Sequence, residues 1–201
     1  MAYLFIDTTS NLKIGILSEE CRWIEILNLE EKKPSEVIHK LIYESLIKHD
    51  LSLDKVSKVI ACAGPGSYTG MRLSEGIVQV LELSGMHVFT FYHFDLPKFL
   101  GIKKYIWVAT AFKGEYYIFK YDHGEIQKTL VLKDQLNEEL LKLKDFAMFA
   151  LAPDPIYPSG MKFTSIEIVE NSEKYIPKVI ERDQRDQAYY YRTVEEEFKI
   201  K

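Results

Sequence analysis

The sequence contains only two cysteines, Cys21 and Cys62, which lie far apart and form no Cys-x-x-Cys pair. Their scarcity excludes a disulfide framework and a zinc site built from thiolates, and it predicts reduced thiols in a cytoplasmic protein. Long apolar runs are also lacking, and Met1-Ala2-Tyr3 leads straight into a strand-like stretch without a basic region. We therefore expect neither a membrane span nor a secretion signal.

The sequence also lacks an excess of positive charge. The 201 residues carry a formal net charge of -4, so no global positive field would draw the chain onto a phosphate backbone. If nucleic acid is involved, we expect a partner to hold it. Hydrophobic residues make up 47% of the chain, which is enough to bury the core of one domain or of two small lobes.

Residue groups typical of catalytic or metal centres are lacking as well. The five histidines form no HExxH or HxxxH pair, the spacings with which a helix directs two imidazoles at one metal ion. Glutamates such as Glu36, Glu44, Glu75 and Glu82 lie in helical segments, where charged side chains usually form a solvated face. The sequence thus predicts no metal centre and no convergent set of acid, base and nucleophile.

Hydrophobic periodicity divides the first half of the chain into a β-β-β-α-β-α-β pattern. Strands are predicted at residues 3–6, 13–17, 21–29, 56–63 and 88–92. A helix with Ser35 as its N-cap is predicted at residues 35–49 and a second helix at 70–84. The short polar breaks between the first three strands favour an antiparallel meander.

The second half repeats this pattern in a reduced form. Strands are predicted at 105–110, 115–121, 129–131 and 146–150, with a helix at 134–143 before the last of them. Beyond Pro153 the pattern weakens to a strand at 166–169 and a solvated loop at 182–187. Two tandem β-β-β-α-β units are typical of the actin-like (ribonuclease H-like) α/β fold. We therefore predict an N-terminal lobe of residues 1–93 and a shortened C-terminal lobe of residues 94–201, with the C-terminal segment packing back onto the second lobe.

The most specific segment of the chain runs from Gly64 to Arg72 and reads GPGSYTGMR. It lies between a buried strand and a helix, where glycines permit tight turns and helix N–H groups favour anions. Generic motifs do not fit it. Met71 and Arg72 stand where a Walker A loop needs Lys-Ser/Thr, and Thr69 stands where the Rossmann fingerprint and a nucleophile elbow each need glycine.

This segment resembles the GPGSFTGxR signature of the TsaB (YeaZ) family, with Tyr68 as the one change at a fixed position. The opening FIDTTS of residues 5–10 is similar to the start of that family, and residues 188–193 are similar to its C-terminal segment. The resemblance implies an actin-like subunit without catalytic residues, paired with the catalytic subunit TsaD and joined by the ATPase TsaE. That machinery forms N6-threonylcarbamoyladenosine at position 37 of tRNAs that read codons starting with A.

The resemblance also implies a phosphate or nucleotide site, which we interpret as vestigial. Asp7-Thr8-Thr9 resembles the first phosphate loop of actin-like ATPases, where a carboxylate holds water around magnesium; the alternative is an aspartate that caps a turn. In the second lobe, Thr110-Ala111-Phe112 replaces the usual Asp-Ala-Arg and is followed by Lys113, and residues 150–153 replace a glycine-rich turn. The residues assigned to the vestigial site are Asp7, Thr8, Thr9, Gly64, Gly66, Ser67, Thr69, Gly70 and Arg72.

The helices at 35–49 and 70–84 carry more apolar residues than one buried stripe requires. An interior glycine, Gly76, is unfavourable in a helix by about 1 kcal/mol relative to alanine, which suggests that another backbone approaches it closely. We predict a partner interface at these helices, whereas the simpler interpretation is a helix core. The residues assigned to the interface are Leu41, Ser45, Gly76, Ile77 and Leu81.

The sequence therefore predicts a scaffold or activator subunit of the tRNA-modifying complex, with no intrinsic cofactor or metal. ATP or ADP and magnesium would enter at the level of the complex, and tRNA would be contacted indirectly. Two alternatives belong to other classes. A small ATP-dependent phosphotransferase or ATPase of the same fold would need intact phosphate loops on both lobes, and a peptidase would need a metal cluster or a nucleophile elbow. Whether the free chain forms a homodimer is left open by the sequence.

Overall fold

The computed structural model describes residues 1–111 and 114–191. Its strands are β1 (Ala2–Asp7), β2 (Leu12–Leu17), β3 (Trp23–Leu29), β4 (Val56–Cys62), β5 (His87–Phe91), β6 (Lys104–Thr110), β7 (Glu115–Asp122), β8 (Glu125–Leu132), β9 (Ala147–Ala150) and β10 (Lys162–Phe163). Its α-helices are α1 (Pro34–Lys48), α2 (Tyr68–Leu83), α3 (Leu96–Phe99), α4 (Lys133–Lys142), α5 (Thr164–Glu170) and α6 (Ser172–Arg182). No helix in these two ranges is long and apolar enough to cross a membrane.

The first sheet has the strand order β3-β2-β1-β4-β5. β1 to β3 form the predicted antiparallel meander, and β4 and β5 add in parallel to β1. The strands alternate in side-chain direction, so Leu4 and Ile6 pack under α1 and α2 while Tyr3 and Phe5 pack under α6. Both faces of this sheet are therefore covered, as the largely apolar sequence of β1 requires.

The second sheet repeats this topology with the order β8-β7-β6-β9-β10. α4 covers one face, and the other face, with Tyr105 and Trp107, packs against Phe94 and Tyr189. In the first lobe a long helix, α2, joins the fourth and fifth strands, but here residues 151–161 take its place without helix. The predicted fold class and its reduced second lobe are confirmed.

The segment after β10 differs from the prediction. Residues 166–169, predicted as a strand, lie within helix α5, and the strand prediction is wrong. Thr164 and Ile168 are both buried four residues apart, which is a helical spacing that the β-branched residues obscured. Helix α6 follows and buries Tyr175, Ile176 and Val179 against the first sheet.

Residues 182–187, predicted as a solvated loop, instead bind the first lobe. The Arg185 guanidinium lies 2.8 Å from carboxylates of Glu75 and Glu82 in α2. Thr90 N of β5 donates to Gln184 O at 3.0 Å, and Tyr189 N donates to Ala63 O at 2.9 Å. We call residues 183–191 the C-terminal strap; the prediction failed because its ion pairs join residues more than a hundred positions apart.

Two helix starts also differ from their predicted positions. α1 begins at Pro34, whose fixed φ suits the first helical position, and Ser35 does not cap it. α2 begins at Tyr68, and the side chain of Ser67 accepts a hydrogen bond from Gly70 N as its N-cap. Arg192 and Thr193 of the predicted family segment, and Phe112 and Lys113, lie outside the described residues.

Candidate functional site

Two loops meet at the carboxyl ends of β1 and β4, which are neighbouring parallel strands. Ser67 N donates a hydrogen bond to Thr9 O at 2.6 Å, and the Thr8 hydroxyl donates to Gly70 O at 2.5 Å. The segment 7–9 and the segment 64–70 are therefore in direct contact. The sequence-predicted loops come together, and they bind each other through one backbone hydrogen bond and one from the Thr8 hydroxyl.

Gly66 and Gly70 are required by this contact. A Cβ atom built on Gly66 would overlap with the carbonyl group of Thr9, and one built on Gly70 would overlap with the carbonyl oxygen of Thr8. In both cases the obstacle is backbone, which cannot rotate away as a flexible side chain can. These glycines permit the close approach of the two loops.

The carboxylate of Asp7 lies at the centre of the contact and is fully buried. It accepts hydrogen bonds from Thr9 N at 2.9 Å and from the Thr9 hydroxyl at 2.6 Å. The ammonium of Lys13, itself 1% exposed, lies 3.3 Å away. Burial alone would raise the pKa of Asp7, but the nearby Lys13 charge, His93 and the Thr9 hydrogen bond together hold it well below the usual carboxyl range.

Two residues that sequence reasoning did not assign to a site, Cys62 and His93, adjoin Asp7. His93 Nε2 lies 2.7 Å from the Thr9 hydroxyl and 3.7 Å from the Asp7 carboxylate. Burial raises the pKa of the Cys62 thiol well above its usual value. The available signal was their place in the chain: Cys62 ends β4 and His93 follows β5. The carboxyl ends of these parallel strands lie at the same edge of the sheet as Asp7.

Asp7, Cys62 and His93 offer ligand atoms that lie within 4.8 Å of one another, although no metal cluster was expected from the sequence. The Thr9 hydroxyl is bonded to two of these groups. A cation would have to displace that hydroxyl and compete with the Lys13 ammonium for the carboxylate. The arrangement is a hydrogen-bonded network that the chain satisfies largely with its own atoms.

The same internal bonding limits what a phosphate could contact. Three N–H groups of the two loops, Thr9 N, Ser67 N and Gly70 N, donate to Asp7, Thr9 and Ser67 respectively. Gly64 is buried at the start of the loop, whereas Ser67, Thr69 and Arg72 are exposed. This geometry favours the vestigial interpretation, and nucleotide binding by these residues stays a prediction.

A second candidate site is the outer surface of α1 and α2. Gly76 is exposed and nothing lies within 4 Å of a Cβ built on it. Ile77 and Leu81 are 7% and 8% exposed and pack into the first-lobe core, and Leu41 is half-buried against the same core. Of the predicted interface residues, Gly76 is thus the one that lies fully on the surface.

Ser45 requires a correction. Its side chain is 3% exposed and donates a hydrogen bond to Glu25 of β3, so it faces the sheet and is not available to a partner. Its neighbours Tyr43 and Ile47, 65% and 54% exposed, lie on the outer side of the helix. The helix was predicted correctly, but its exposed face was assigned to the wrong residues, since Tyr43 and Ile47 face outward and Ser45 does not.

Between the two helices runs an apolar groove of about 420 Å³. The α1 side is formed by Ile42, Tyr43 and Ile47, and the α2 side by Ile77, Val80 and Leu81. Val80 and Leu83 of α2 remain 62% and 89% exposed. The combined surface is what we call the α1/α2 surface: Tyr43, Ile47, Gly76, Val80, Leu83 and the groove between the helices.

Comparison with solved structures identifies the fold. YeaZ from Pseudomonas aeruginosa aligns with a TM-score of 0.51 at 18% sequence identity, over 66% of this chain and 68% of that chain. A structure described as an uncharacterized protein with similarity to peptidase YEAZ from Pseudomonas aeruginosa aligns with a TM-score of 0.52 at 18% identity, over 65% of this chain and 66% of that chain. No protein-family model and no curated protein matches the sequence. The likeness shows that the chain has the actin-like fold of these proteins.

Proposed function

We propose that the chain is a noncatalytic subunit of TsaB (YeaZ) type, which supports a TsaD-like catalytic subunit in forming N6-threonylcarbamoyladenosine at position 37 of tRNA. The observation that carries this proposal is the α1/α2 surface. Large apolar side chains on two adjacent helices remain exposed there around a groove. Contiguous apolar surface of this kind is typical of protein interfaces, whereas scattered exposed apolar residues are not.

Gly76 gives this surface its shape. Because no side chain covers the α2 backbone at this position, a partner helix can approach more closely there than at any residue with a side chain. Close approach increases the dispersion contacts between two helices and the apolar area that each removes from water. A second actin-like chain, which has equivalent helices, would supply such a partner.

The first-lobe loops support the noncatalytic part of the proposal. The Asp7 carboxylate is already bonded to Lys13 and Thr9, so a magnesium-bound nucleotide would first have to break a buried ion pair. The TsaE-like ATPase and the TsaD-like subunit would therefore supply the nucleotide chemistry. With a net charge of -4, the chain would contact tRNA through its partners.

Reconstitution tests this function directly. The purified chain is mixed with the TsaD-like and TsaE-like proteins of the same genome, unmodified tRNA, ATP, threonine and bicarbonate, together with the enzyme that makes the threonylcarbamoyl donor. We expect a stable complex with the TsaD-like protein by analytical ultracentrifugation, and modified adenosine only when the chain is present. Absence of a complex, or full modification without the chain, would overturn the proposal.

A further inference from the structure

Arg72 differs from the other arginines that the structure describes. Arg22, Arg182 and Arg185 each form an ion pair with a carboxylate. The Arg72 side chain is exposed, and within residues 1–111 and 114–191 no carboxylate lies within ion-pair distance of it. The nearest acid along α2, Glu75, is bound to Arg185 at 2.8 Å. Arg72 therefore presents a guanidinium whose hydrogen-bonding groups are available to a partner.

Two tyrosines hold this guanidinium in place. The Arg72 guanidinium lies over the Tyr68 ring, 5.3 Å from its centroid. Tyr68 in turn packs against Tyr190 of the C-terminal strap, with ring centroids 5.2 Å apart, and both rings are partly exposed. A guanidinium held over an aromatic ring loses less conformational freedom when it binds a ligand.

The position of Arg72 links it to the α1/α2 surface. Arg72, Gly76 and Val80 are spaced four residues apart in one helix, so they lie along the same side of α2. All three are exposed. A protein that covers Gly76 and Val80 would therefore reach the Arg72 guanidinium about one turn further along the helix.

We propose that Arg72 is a specificity-determining contact of the docking surface and binds a carboxylate on the partner protein. This inference rests on the proposed function, since it concerns the same partner. A carboxylate matches the planar fork of the guanidinium, which can donate two parallel hydrogen bonds to it. Glu75 and Glu82, on the neighbouring side of α2, share the single cation Arg185 and leave one net negative charge there. That charge disfavours a polyanion such as RNA more than a single carboxylate.

Binding of the TsaD-like protein to Arg72 variants tests the proposal. We expect the dissociation constant to rise about tenfold for Arg72→Met and about a hundredfold for Arg72→Glu, with Arg72→Lys between the parent and Arg72→Met. Tyr68→Phe should bind like the parent, because it keeps the ring, whereas Tyr68→Leu should weaken binding. High salt should reduce the difference between the parent and Arg72→Met.

A charge-reversal screen identifies the partner residue. Each exposed acidic residue on the docking face of the TsaD-like protein is changed to arginine and tested against Arg72→Glu. One such change should restore most of the lost affinity, and failure of every change would overturn the proposal. Because Gly76→Glu is measured in parallel, a weakened Gly76→Glu with an unaffected Arg72→Glu would reject this inference and leave the proposed function intact.

Two other outcomes would also reject it. Glutamates 195–197 of this chain lie outside the described residues; if changing them to glutamine abolished the effect of Arg72→Met, Arg72 would bind its own chain. If Arg72→Met left binding to the TsaD-like protein unchanged and weakened only the binding of tRNA to the assembled complex, the ligand would be a nucleic acid.

Discussion

The ammonium of Lys13 lies 3.3 Å from the Asp7 carboxylate, and the two side chains are 1% and 0% exposed. Charges so deeply buried are tolerated only when each compensates the other and hydrogen bonds occupy the remaining polar atoms. Ser10 accepts a further hydrogen bond from Lys13 at 3.1 Å. The pair therefore fixes the first-lobe loop in an arrangement in which both carboxylate oxygens of Asp7 already have partners within the chain.

We expect Asp7→Asn to lower the free energy of unfolding by about 3–5 kcal/mol, because it leaves the Lys13 ammonium buried without compensation. The double variant Asp7→Asn with Lys13→Met should be more stable than the single variant, since no buried charge then remains. Urea denaturation followed by circular dichroism measures both. If the double variant were no more stable than Asp7→Asn, the ion pair would not be the source of the loss.

A second prediction concerns pH and Asp95, a residue after β5 whose pKa burial raises from 3.8 to about 6, against the opposing charge of Arg182. Because the folded pKa exceeds the unfolded one, the folded state binds the proton more tightly, and stability falls as pH rises from about 4 through 6. We expect the stability of Asp95→Asn relative to the parent to increase between pH 4 and pH 8, by at most about 3 kcal/mol.

Asp54→Asn is the matched control for this measurement. Asp54 is exposed, and a hydrogen bond from Ser52 lowers its pKa, so its linkage has the opposite sign. The stability of Asp54→Asn relative to the parent should fall slightly as pH rises. Parallel pH profiles for the two variants would contradict the assigned environment of Asp95.

The third prediction concerns the glycines of the loop contact. Valine or alanine at Gly66 or Gly70 would place a Cβ against the backbone of Thr9 or Thr8, and overpacking against backbone costs about 1–3 kcal/mol or more. Gly76→Ala is the control, because open space surrounds that position and alanine favours helix by about 0.5–1 kcal/mol. In thermal denaturation, the melting temperature of Gly76→Ala should be higher than that of the parent, and the melting temperature of every Gly66 and Gly70 variant should be lower.

Much of the architecture could be predicted because local patterns carry it. The short polar breaks between the first three strands indicated the meander, and the Gly64–Arg72 segment indicated a loop between a strand and α2. Helix α6 was missed because Pro177 interrupts its sequence. The apolar spacing of Tyr175, Ile176 and Val179 was the signal that could have revealed it.

The details of the site depend on contacts between residues distant in sequence, which local patterns do not contain. His93 reaches Thr9 across 84 positions, and Arg185 reaches Glu75 across 110. The network around Asp7 also shows why a phosphate-loop sequence need not bind phosphate. Thr9 N, Ser67 N and Gly70 N are bonded within the chain, which becomes apparent only from the folded geometry.

A fourth prediction is that the isolated chain does not hydrolyse ATP. The Asp7 carboxylate is bonded to Lys13, and three N–H groups of the two loops, at Thr9, Ser67 and Gly70, are bonded internally. Release of phosphate should remain at background with magnesium present, in the parent and in Asp7→Ala alike. Magnesium-dependent hydrolysis that disappears in Asp7→Ala would instead identify a working first-lobe site and favour an ATPase of the same fold.

The last prediction concerns Gly76→Glu. Nothing lies within 4 Å of a Cβ at this position, so the variant should fold as well as Gly76→Ala. In the proposed complex the new carboxylate would be removed from water and would compete with the partner for the Arg72 guanidinium four residues earlier on the same side of α2. Both effects weaken binding, and each 1.4 kcal/mol corresponds to a tenfold change in dissociation constant. We expect Gly76→Glu to weaken binding to the TsaD-like protein by about a hundredfold or more and to reduce formation of modified adenosine accordingly.

Three variants separate the contributions to this effect. Gly76→Ala adds volume without charge and should bind nearly as well as the parent, while Val80→Glu places a carboxylate one turn further along the same side of α2 and should weaken binding. Glu138→Gln, on the exposed part of α4 in the other lobe, changes charge away from the surface and should have no effect. Unchanged affinity of folded Gly76→Glu and Val80→Glu would mean that the partner docks elsewhere on the molecule, because an uncompensated carboxylate cannot be buried in a helix interface without a measurable cost.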